Sequence, residues 1–327
     1  MKNLVLKYYL FIFCSTALCQ ISNFSIPKSF SSNLSNVIHS VYTDGLDFDE
    51  LAYQEQLDKD RGLPYKFGHS FNVDINFFEF ATLDYLPNGD KVYRLEINSL
   101  DAFSINLIFN QFYLSHNTEL FIYSKDQKDI IGAFTHTNNK SYKRFSTAPV
   151  KGDVIIIEFF EPHGTKFESI INISNIINGY KDVFRGYQDS EECHNNVNCA
   201  EFQSWNDEIS SVVLTLTDGG TRLCSGSMIN NANQDFELYF LTSETCLGGH
   251  EDWIFMFNYE SSSCNNQDGI TNQTVSGASL LTHHYESDFA LLKLEETPPE
   301  EYDIYFSGWD ATVNNPFNCT VIHHPVG

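Results

Sequence analysis

The cysteines are the residues whose spacing most directly restricts the chemistry of this chain. Eight occur in 327 residues, and none has the Cys-x-x-Cys or Cys/His spacing that holds zinc or carries a redox reaction. Six of them lie beyond residue 190, and in an exported chain this distribution indicates disulfide bonds within one domain. We therefore expect no metal and no cofactor. The positions are Cys14, Cys19, Cys193, Cys199, Cys224, Cys246, Cys264 and Cys319.

The acids and histidines of the first half are scattered singly, which is typical of structural residues. Among the histidines are His69, His116 and His136. Three tyrosines offer an alternative function, because aromatic faces stack on sugar rings; these are Tyr93, Tyr113 and Tyr123. Core packing explains the tyrosines more simply, so the binding of a carbohydrate or another partner by this half stays an alternative.

The first 19 residues have the organisation of a secretory signal peptide. Lys2 and Lys7 precede a short apolar run, and small residues precede Cys19, after which we expect cleavage. No later stretch approaches the roughly 18 apolar residues that a membrane span requires. Removal of the leader changes the formal net charge from −24 to −26. A protein with this negative charge repels phosphate backbones and anionic membranes. We expect a secreted, extracellular or periplasmic monomer that binds neither nucleic acid nor membrane.

Period-two patterns from about residue 67 to residue 180 predict half-buried strands. Apolar residues alternate with polar ones over residues 71–77, 93–97 and 103–109, and residues 154–160 form an apolar run suited to a central strand. Pro87-Asn88-Gly89-Asp90 is a positive-φ turn, and residues 125–129 separate two further strands. The pattern predicts an antiparallel β-sandwich of residues 66–184, preceded by a polar arm of residues 20–65.

A polar segment of residues 185–200 separates the sandwich from the cysteine-rich half. Arg185-Gly186 lies in this linker, where proteolytic cleavage would be concentrated, so it is a candidate processing site. Residues 201–327 then form the second predicted domain.

Several motifs beyond residue 190 resemble those of the lysyl endopeptidases, a branch of the chymotrypsin-like serine proteases. In these proteases, a strand of the Cys-Ser-Gly-Ser type precedes a Leu-Thr-Ala-x-His-Cys turn, and the two cysteines bond across the catalytic histidine. The corresponding segments here are Cys224-Ser225-Gly226-Ser227 and Leu241-Thr242-Ser243-Glu244-Thr245-Cys246. Further similar segments are residues 253–264, 273–278, 287–294, 308–310 and 322–325. The sandwich resembles the propeptide-like regions of such proteins through residues 86–90 and 120–123.

The resemblance implies a catalytic triad in the order His, Asp, Ser. The aspartate position falls on Asp288, which precedes an apolar strand, and the histidine position falls on Thr245, whose hydroxyl is no base near neutral pH. Rescue by a neighbouring residue is the weaker alternative; the candidates are Glu244, His250, His283 and His284. Ser225-Gly226-Ser227 precedes the bonded loop and is expected to be structural. The nucleophilic serine of the family comes well after residues 322–325, so it is absent from this chain, as are the oxyanion hole and the lysine-selecting pocket.

The same resemblance implies two disulfide bonds, Cys224 with Cys246 and Cys199 with Cys264. Cys193 is left without its family partner and Cys319 is an extra cysteine, so pairing between these two remains open. The fold class is all-β: a sandwich, then one chymotrypsin-like β-barrel, with the second barrel truncated to about two strands.

Three functions follow from these observations. The first is a secreted serine endopeptidase homologue that is catalytically inactive, with protein or peptide substrates as the partners of the family. The second is a noncatalytic binding protein that uses the sandwich. The third is an active endopeptidase, if the chain is incomplete and another group replaces the missing base.

Overall fold

The structure is a computed structural model that describes residues 25–183, 195–265, 267, 269–312 and 317–325. The expected signal peptide, the Arg185-Gly186 step and Cys193 lie outside these residues. None of the helices in the described ranges has the length and apolar character that crossing a bilayer requires.

Two sheets form the predicted sandwich, and together they contain eleven strands among the described residues. The strands are β1 (His39–Tyr42), β2 (Gly68–Asn76), β3 (Thr82–Tyr85), β4 (Lys91–Asn98), β5 (Ser104–Tyr113), β6 (Glu119–Ser124), β7 (Ile130–Phe134), β8 (Phe145–Ser146), β9 (Val150–Lys151), β10 (Val154–Glu161) and β11 (Ile170–Gly179). The first sheet has the order β1-β4-β10-β6-β7, with β3 also on β4, and the second has the order β2-β11-β5-β8, with β9 also on β5.

The core of the sandwich lies between these two sheets because alternate residues of each strand point inward. Ile155, Ile157 and Phe159 of β10 face Leu107 and Ile176 of the other sheet in one buried cluster. The apolar run at residues 154–160 is a central strand, as the sequence predicts. Leu95 and Ile97 of β4 join the same cluster, in accordance with their predicted alternation.

The structure departs from the sequence prediction at the amino-terminal side of this sandwich. Residues 25–65 contain β1, which pairs in parallel with β4, so the first sheet is not purely antiparallel. They also contain the helix α1 (Phe48–Asp60), where the Asp47 side chain accepts the amide N–H groups of Asp49 and Glu50. Only Leu51 of this helix is buried. The helix was not predicted because it has almost no apolar face to produce a 3.6-residue pattern.

A second difference concerns the strand that starts at Gly68. The apolar alternation holds through Ile75, but Phe77 begins the one-turn helix α2 (Phe77–Phe80), which Asn76 caps. The strand β3 follows, and the predicted turn at Gly89, where φ is 89°, joins β3 to β4.

Seven strands in the described part of the second half form one sheet that closes into a barrel. They are β12 (Val212–Thr217), β13 (Arg222–Ile229), β14 (Tyr239–Thr242), β15 (Ile254–Phe257), β16 (Thr274–Ser276), β17 (Ala278–His284) and β18 (Phe289–Leu294), in the order β16-β15-β12-β13-β14-β18-β17. The two end strands are separated only by Gly277, where φ is 79°. The ends of the sheet are therefore covalently joined, and the fold is the expected all-β, chymotrypsin-like one.

The remaining helical segments are short. A single-turn helix, α3 (Asn206–Ile209), precedes β12. The 3-10 helices are Lys28–Phe30, His136–Asn138, Ala200–Trp205, Glu244–Cys246, His250–Asp252, Tyr285–Ser287 and Glu300–Tyr302.

The described residues after β18 contain no strand, although the sequence predicts about two strands of a second barrel there. Ser307 makes an isolated parallel bridge to Ile229, at the end of β13. A strand requires a partner along its length, and in the described part of this segment the pairing stops after this one bridge.

Candidate active site

The disulfide-bonded turn and the start of β18 meet at one end of the barrel. The pairing of β14 with β18 places Thr242 opposite Ala290, so the residues just after Thr242 lie beside those just before Ala290. A bond between Cys224 and Cys246 fixes the far side of this turn. The local fold thereby brings Thr245 and Asp288, the two positions identified from the resemblance, into direct contact.

Both carboxylate oxygens of Asp288 accept hydrogen bonds from this turn. The Thr245 amide N–H and the Thr245 hydroxyl donate to Oδ1, each at 2.9 Å, and the Ser243 hydroxyl donates to Oδ2 at 2.7 Å. Asp288 has a left-handed backbone, with φ 46° and ψ 50°, which turns its side chain toward the loop. The arrangement is a carboxylate held by two hydroxyls and an amide, without an imidazole.

The hydrogen bonds determine the protonation state of this carboxylate. The Ser243 hydroxyl, followed by the donors of Thr245, lowers the pKa of Asp288 below its usual value, although the side chain is exposed. A carboxylate with a lowered pKa is a weak base. A threonine hydroxyl is itself too weak a proton acceptor to act as a base near neutral pH. The contact therefore contains a carboxylate and a hydroxyl but no imidazole.

The histidines considered as substitutes for the base form other contacts. The Nδ1 atom of His283 lies 3.5 Å from a Glu244 carboxylate oxygen, and Nδ1 of His284 lies 3.0 Å from the Ser287 hydroxyl. His250 lies 3.9 Å from the Glu251 carboxylate. Among the described residues, no hydrogen bond or ion pair joins any of these imidazoles to Asp288.

Ser225-Gly226-Ser227 lies inside the regular strand β13, which pairs with β12 and β14. A Cβ atom on Gly226 would lie only 2.1 Å from the Phe240 ring. The glycine is therefore required by the packing of the barrel core, and the motif has a structural role.

The cysteines near this site form the two pairs that the resemblance implies, Cys224 with Cys246 and Cys199 with Cys264. Cys319 is exposed and has a free thiol. In the described ranges, no group of three or more histidine, cysteine and acidic side chains is placed to bind a metal ion.

Ser243 is a member of the site that the sequence analysis did not identify. Its hydroxyl bonds to Asp288 and also accepts the Thr245 amide N–H as the cap of the turn. A serine two residues before the base position is a common helix-capping signal, but only the fold shows that the acid is within its reach.

The tyrosines considered for sugar binding are largely used in packing. Tyr123 is 1% exposed, and its hydroxyl donates to Glu158 at 3.0 Å. Tyr93 packs against the rings of Phe78 and Phe159. Of the three, Tyr113 alone makes no such ring or side-chain contact among the described residues, so these three tyrosines do not form one exposed surface.

Comparison with known proteins agrees with this geometry. Residues 187–327 match the family model described as the lysyl endopeptidase C-terminal domain. The chain is also 25% identical over 293 residues to a lysyl endopeptidase of Pseudomonas aeruginosa, an alignment that covers 81% of this chain and 63% of the relative. The chain therefore spans less than two thirds of that relative's length. The second half of the chain is therefore similar to the lysyl endopeptidase C-terminal domain, and its all-β fold is consistent with that similarity.

Proposed function

We propose that this chain is a secreted serine endopeptidase homologue that does not hydrolyse peptide bonds. The observation that carries the proposal is the hydrogen bond of 2.9 Å that the Thr245 hydroxyl donates to Asp288. Thr245 stands at the position where the resemblance places the catalytic imidazole. A triad needs a base that takes the proton of the nucleophile and returns it to the leaving group. Threonine supplies neither step.

The expected loss of activity is large. Removal of the base from a Ser-His-Asp triad lowers kcat by about 10⁶, which corresponds to about 8 kcal/mol of transition-state stabilisation. Solvent-exposed neighbours such as His283 would have to recover most of this energy without a bond to Asp288. Residual turnover should therefore lie below the detection limit of a peptide assay.

The direct test is labelling of the purified secreted protein with a serine-directed phosphonate, together with hydrolysis of a mixed peptide library. Labelling requires an activated nucleophile, so we expect neither labelling nor cleavage, while an active lysyl endopeptidase in parallel shows both. Cleavage that disappears in an Asp288→Asn variant would overturn the proposal. Sequencing of the amino terminus of the same preparation tests export, with Gln20 expected as the first residue.

A second experiment tests whether position 245 is the base position. Thr245 is exposed and contacts Asp288, so in a Thr245→His variant the nearby carboxylate should raise the pKa of the new imidazole above the usual 6.5. NMR titration measures this pKa in the presence and absence of the additional change Asp288→Asn. Equal pKa values in the two variants would show that Thr245 does not occupy the base position.

A further inference from the structure

A cavity of about 290 Å³ lies between the start of β12 and the segment of residues 320–325. The 3-10 helix Ala200–Trp205, the helix α3, the residues that follow β15 and residues 195–197 form the rest of its wall. Among the described residues, neither Thr245, Asp288 nor any part of the sandwich lines it, so the cavity is separate from the candidate active site. An apolar cavity of about 150 Å³ holds a benzene ring, so this volume accommodates one ring with a short chain.

Apolar and aromatic side chains supply the larger part of this wall. Phe202, Trp205 and Ile209 line one side of the cavity. The Tyr259 ring, which also lines it, lies 5.9 Å from the His324 imidazole, measured between the ring centroids. The face of an aromatic ring carries a partial negative charge and attracts cations. The wall therefore suits a ligand that combines an apolar body with a positive charge.

His324 contributes a polar atom without a partner. Its Nε2 is shielded from solvent and forms no hydrogen bond with the described residues, while its backbone N–H donates to the Ser225 hydroxyl of β13 at 2.8 Å. Burial, with a smaller effect of His323, lowers the pKa of the imidazole to about 4, so the ring is neutral at pH 7. A neutral imidazole has one nitrogen that accepts a hydrogen bond. Because a shielded polar atom is costly when it stays unpaired, a ligand that donates to Nε2 is favoured.

Glu260 is a second polar group of the wall that lacks a partner. The residue is half-buried, and its carboxylate forms no hydrogen bond or ion pair with the described residues. Burial raises the pKa of Glu260, which means that the charged form is partly desolvated. Its backbone is closely packed, because a Cβ atom on Gly269 would lie 2.5 Å from the Glu260 amide nitrogen. A desolvated carboxylate without a donor favours a cationic partner.

The charge around the cavity also favours a cation. No lysine or arginine is among the described residues that line it, so the Glu260 carboxylate has no basic neighbour in the wall. The whole chain has a formal net charge of −24, and a field of this sign raises the local concentration of cations and lowers that of anions. A ligand with a carboxylate would bring a second negative charge beside Glu260. The ligand is therefore expected to be an amine and not an acid.

We propose that this cavity is a binding site for arylalkylamines, which are protonated amines joined to an aromatic ring by a short chain. The ring lies against Phe202, Trp205 and Tyr259. The ammonium group lies beside the Glu260 carboxylate and donates one N–H to Nε2 of His324. Each of the two unpartnered groups thus receives a donor from the ligand. This inference goes beyond the proposed lack of peptidase activity and does not depend on it.

The first test compares three probes on the unmodified full chain by isothermal titration calorimetry at pH 7 and about 150 mM salt. Phenethylamine, 2-phenylethanol and 3-phenylpropionate place an ammonium, a hydroxyl or a carboxylate on the same phenyl ring and spacer. We expect a Kd of about 0.1 to 1 mM for phenethylamine, which is ordinary for a ligand of this size, and at least about 10-fold weaker binding of the other two. Equal affinities for the three probes, or no binding of phenethylamine at about 10 mM, would overturn the proposal.

The indole N–H signals in NMR spectra distinguish binding in the cavity from binding elsewhere. The chain has three tryptophans, and in the described structure Trp205 is the one that lines the cavity. Trp253 is buried, and its indole N–H donates to the Gly248 oxygen at 2.7 Å. Phenethylamine should shift the Trp205 signal, assigned with the variant Trp205→Phe, and leave the Trp253 signal in place. Binding without a shift of the Trp205 signal would place the ligand outside this cavity and contradict the proposal.

Matched variants test the role of the carboxylate. Glu260→Gln removes the charge and keeps the shape, so the Kd of phenethylamine should rise at least about 10-fold, whereas the Kd of 2-phenylethanol should change less than about twofold. Glu201→Gln is the control, because Glu201 is an exposed acid on the helix that carries Phe202 and Trp205 and does not line the cavity. This control should change the Kd of phenethylamine less than about twofold. Equal effects of the two variants would show that Glu260 does not bind the amine.

A third variant tests the imidazole. His324→Phe keeps a ring at this position and removes both nitrogens, so the Kd of phenethylamine should rise at least about fivefold. Circular dichroism checks that the variant is folded. An unchanged Kd in the folded variant would show that Nε2 does not accept a hydrogen bond from the amine. The comparison of the three probes uses the unmodified chain, so it tests the site even if this variant does not fold.

Discussion

The sandwich and the barrel of this chain are stabilised in different ways. The sandwich has no cysteine between residues 20 and 192, and its main core cluster contains 22 buried residues in the described part. The corresponding barrel cluster contains 14, two of which are the bonded cysteines Cys224 and Cys246. The barrel additionally uses Phe67 and Lys140 of the sandwich. The dependence is therefore unequal: the sandwich has a sufficient core of its own, whereas the barrel relies on cross-links and on its neighbour.

Reduction of the disulfides should produce the largest effect and should act on one half only. The two bonds join residues 65 and 22 positions apart, and loss of loops of these lengths destabilises by about 3 to 4 kcal/mol each in the loop-entropy account. After reduction, hydrogen exchange measured by mass spectrometry should show the strands β12 to β18 losing protection while β4, β6 and β10 keep theirs. Simultaneous loss in both halves would contradict the unequal dependence.

A pH effect of intermediate size is expected at the carboxyl-terminal segment. His324 faces a cavity of about 290 Å³, its Nε2 is shielded and has no hydrogen-bond partner in the described structure, and its backbone N–H donates to the Ser225 hydroxyl at 2.8 Å. Burial, with a smaller effect of His323, lowers its pKa to about 4. Between pH 6.5 and about 4 the unfolded chain binds the proton and the folded chain does not, so stability falls as the pH falls.

This loss is at most about 3 kcal/mol, because each pKa unit corresponds to 1.36 kcal/mol. Urea unfolding of the barrel measured from pH 7 to pH 4 should show the decline in the unmodified protein and lose it in His324→Gln. The exposed His284→Gln serves as the control and should keep the decline. If stability declines with pH in His324→Gln as it does in the unmodified protein, then the neutral His324 imidazole does not stabilise the carboxyl-terminal segment.

The smallest effect is expected at the exposed end of the barrel. The pKa of Asp288 is lower in the folded chain than its value of 3.8 in the unfolded chain, so the carboxylate contributes stability above pH 3.8. This contribution is lost as the pH falls through the lower pKa of the folded chain. Solvent screening limits this contribution to less than about 1 kcal/mol. Asp288→Asn should therefore change the urea midpoint at pH 7 only slightly, to a similar extent as Asp153→Asn on the sandwich surface. A loss of several kcal/mol would mean that the open end carries much of the barrel's stability.

Local patterns in the sequence were sufficient for most of the strands. The alternation in β4 and the apolar run of β10 predict their positions because side chains on a strand repeat every two residues. The helix α1 was missed because its residues lack an apolar stripe, which is the pattern that indicates a helix in a sequence. The parallel pairing of β1 with β4 joins residues about 56 positions apart, and no local pattern records it.

For the candidate site, the resemblance identified Thr245 and Asp288, and the structure shows how the two side chains are hydrogen-bonded. The motif order identified Thr245 and Asp288 as neighbours, because the resemblance supplies the family's contacts. The participation of Ser243 and the direction of each hydrogen bond depend on the turn and on the left-handed backbone of Asp288. Hydrogen bonds act over about 3 Å, so they are fixed only after the chain has folded.

The sequence by itself predicted an all-β chain with a cysteine-rich second half that resembles a protease, and it placed threonine where the resemblance expects the base. Only the tertiary structure decided that Lys140 pairs with Glu296 and that Gly277 and Gly220 leave space for the sandwich. These contacts join residues that are far apart in the chain, and a lysine or a glycine has the same local signature whether it lies in solvent or in an interface. The mutual fit of two folded surfaces is a property of their shapes and charges, which exist only after each half has formed its core.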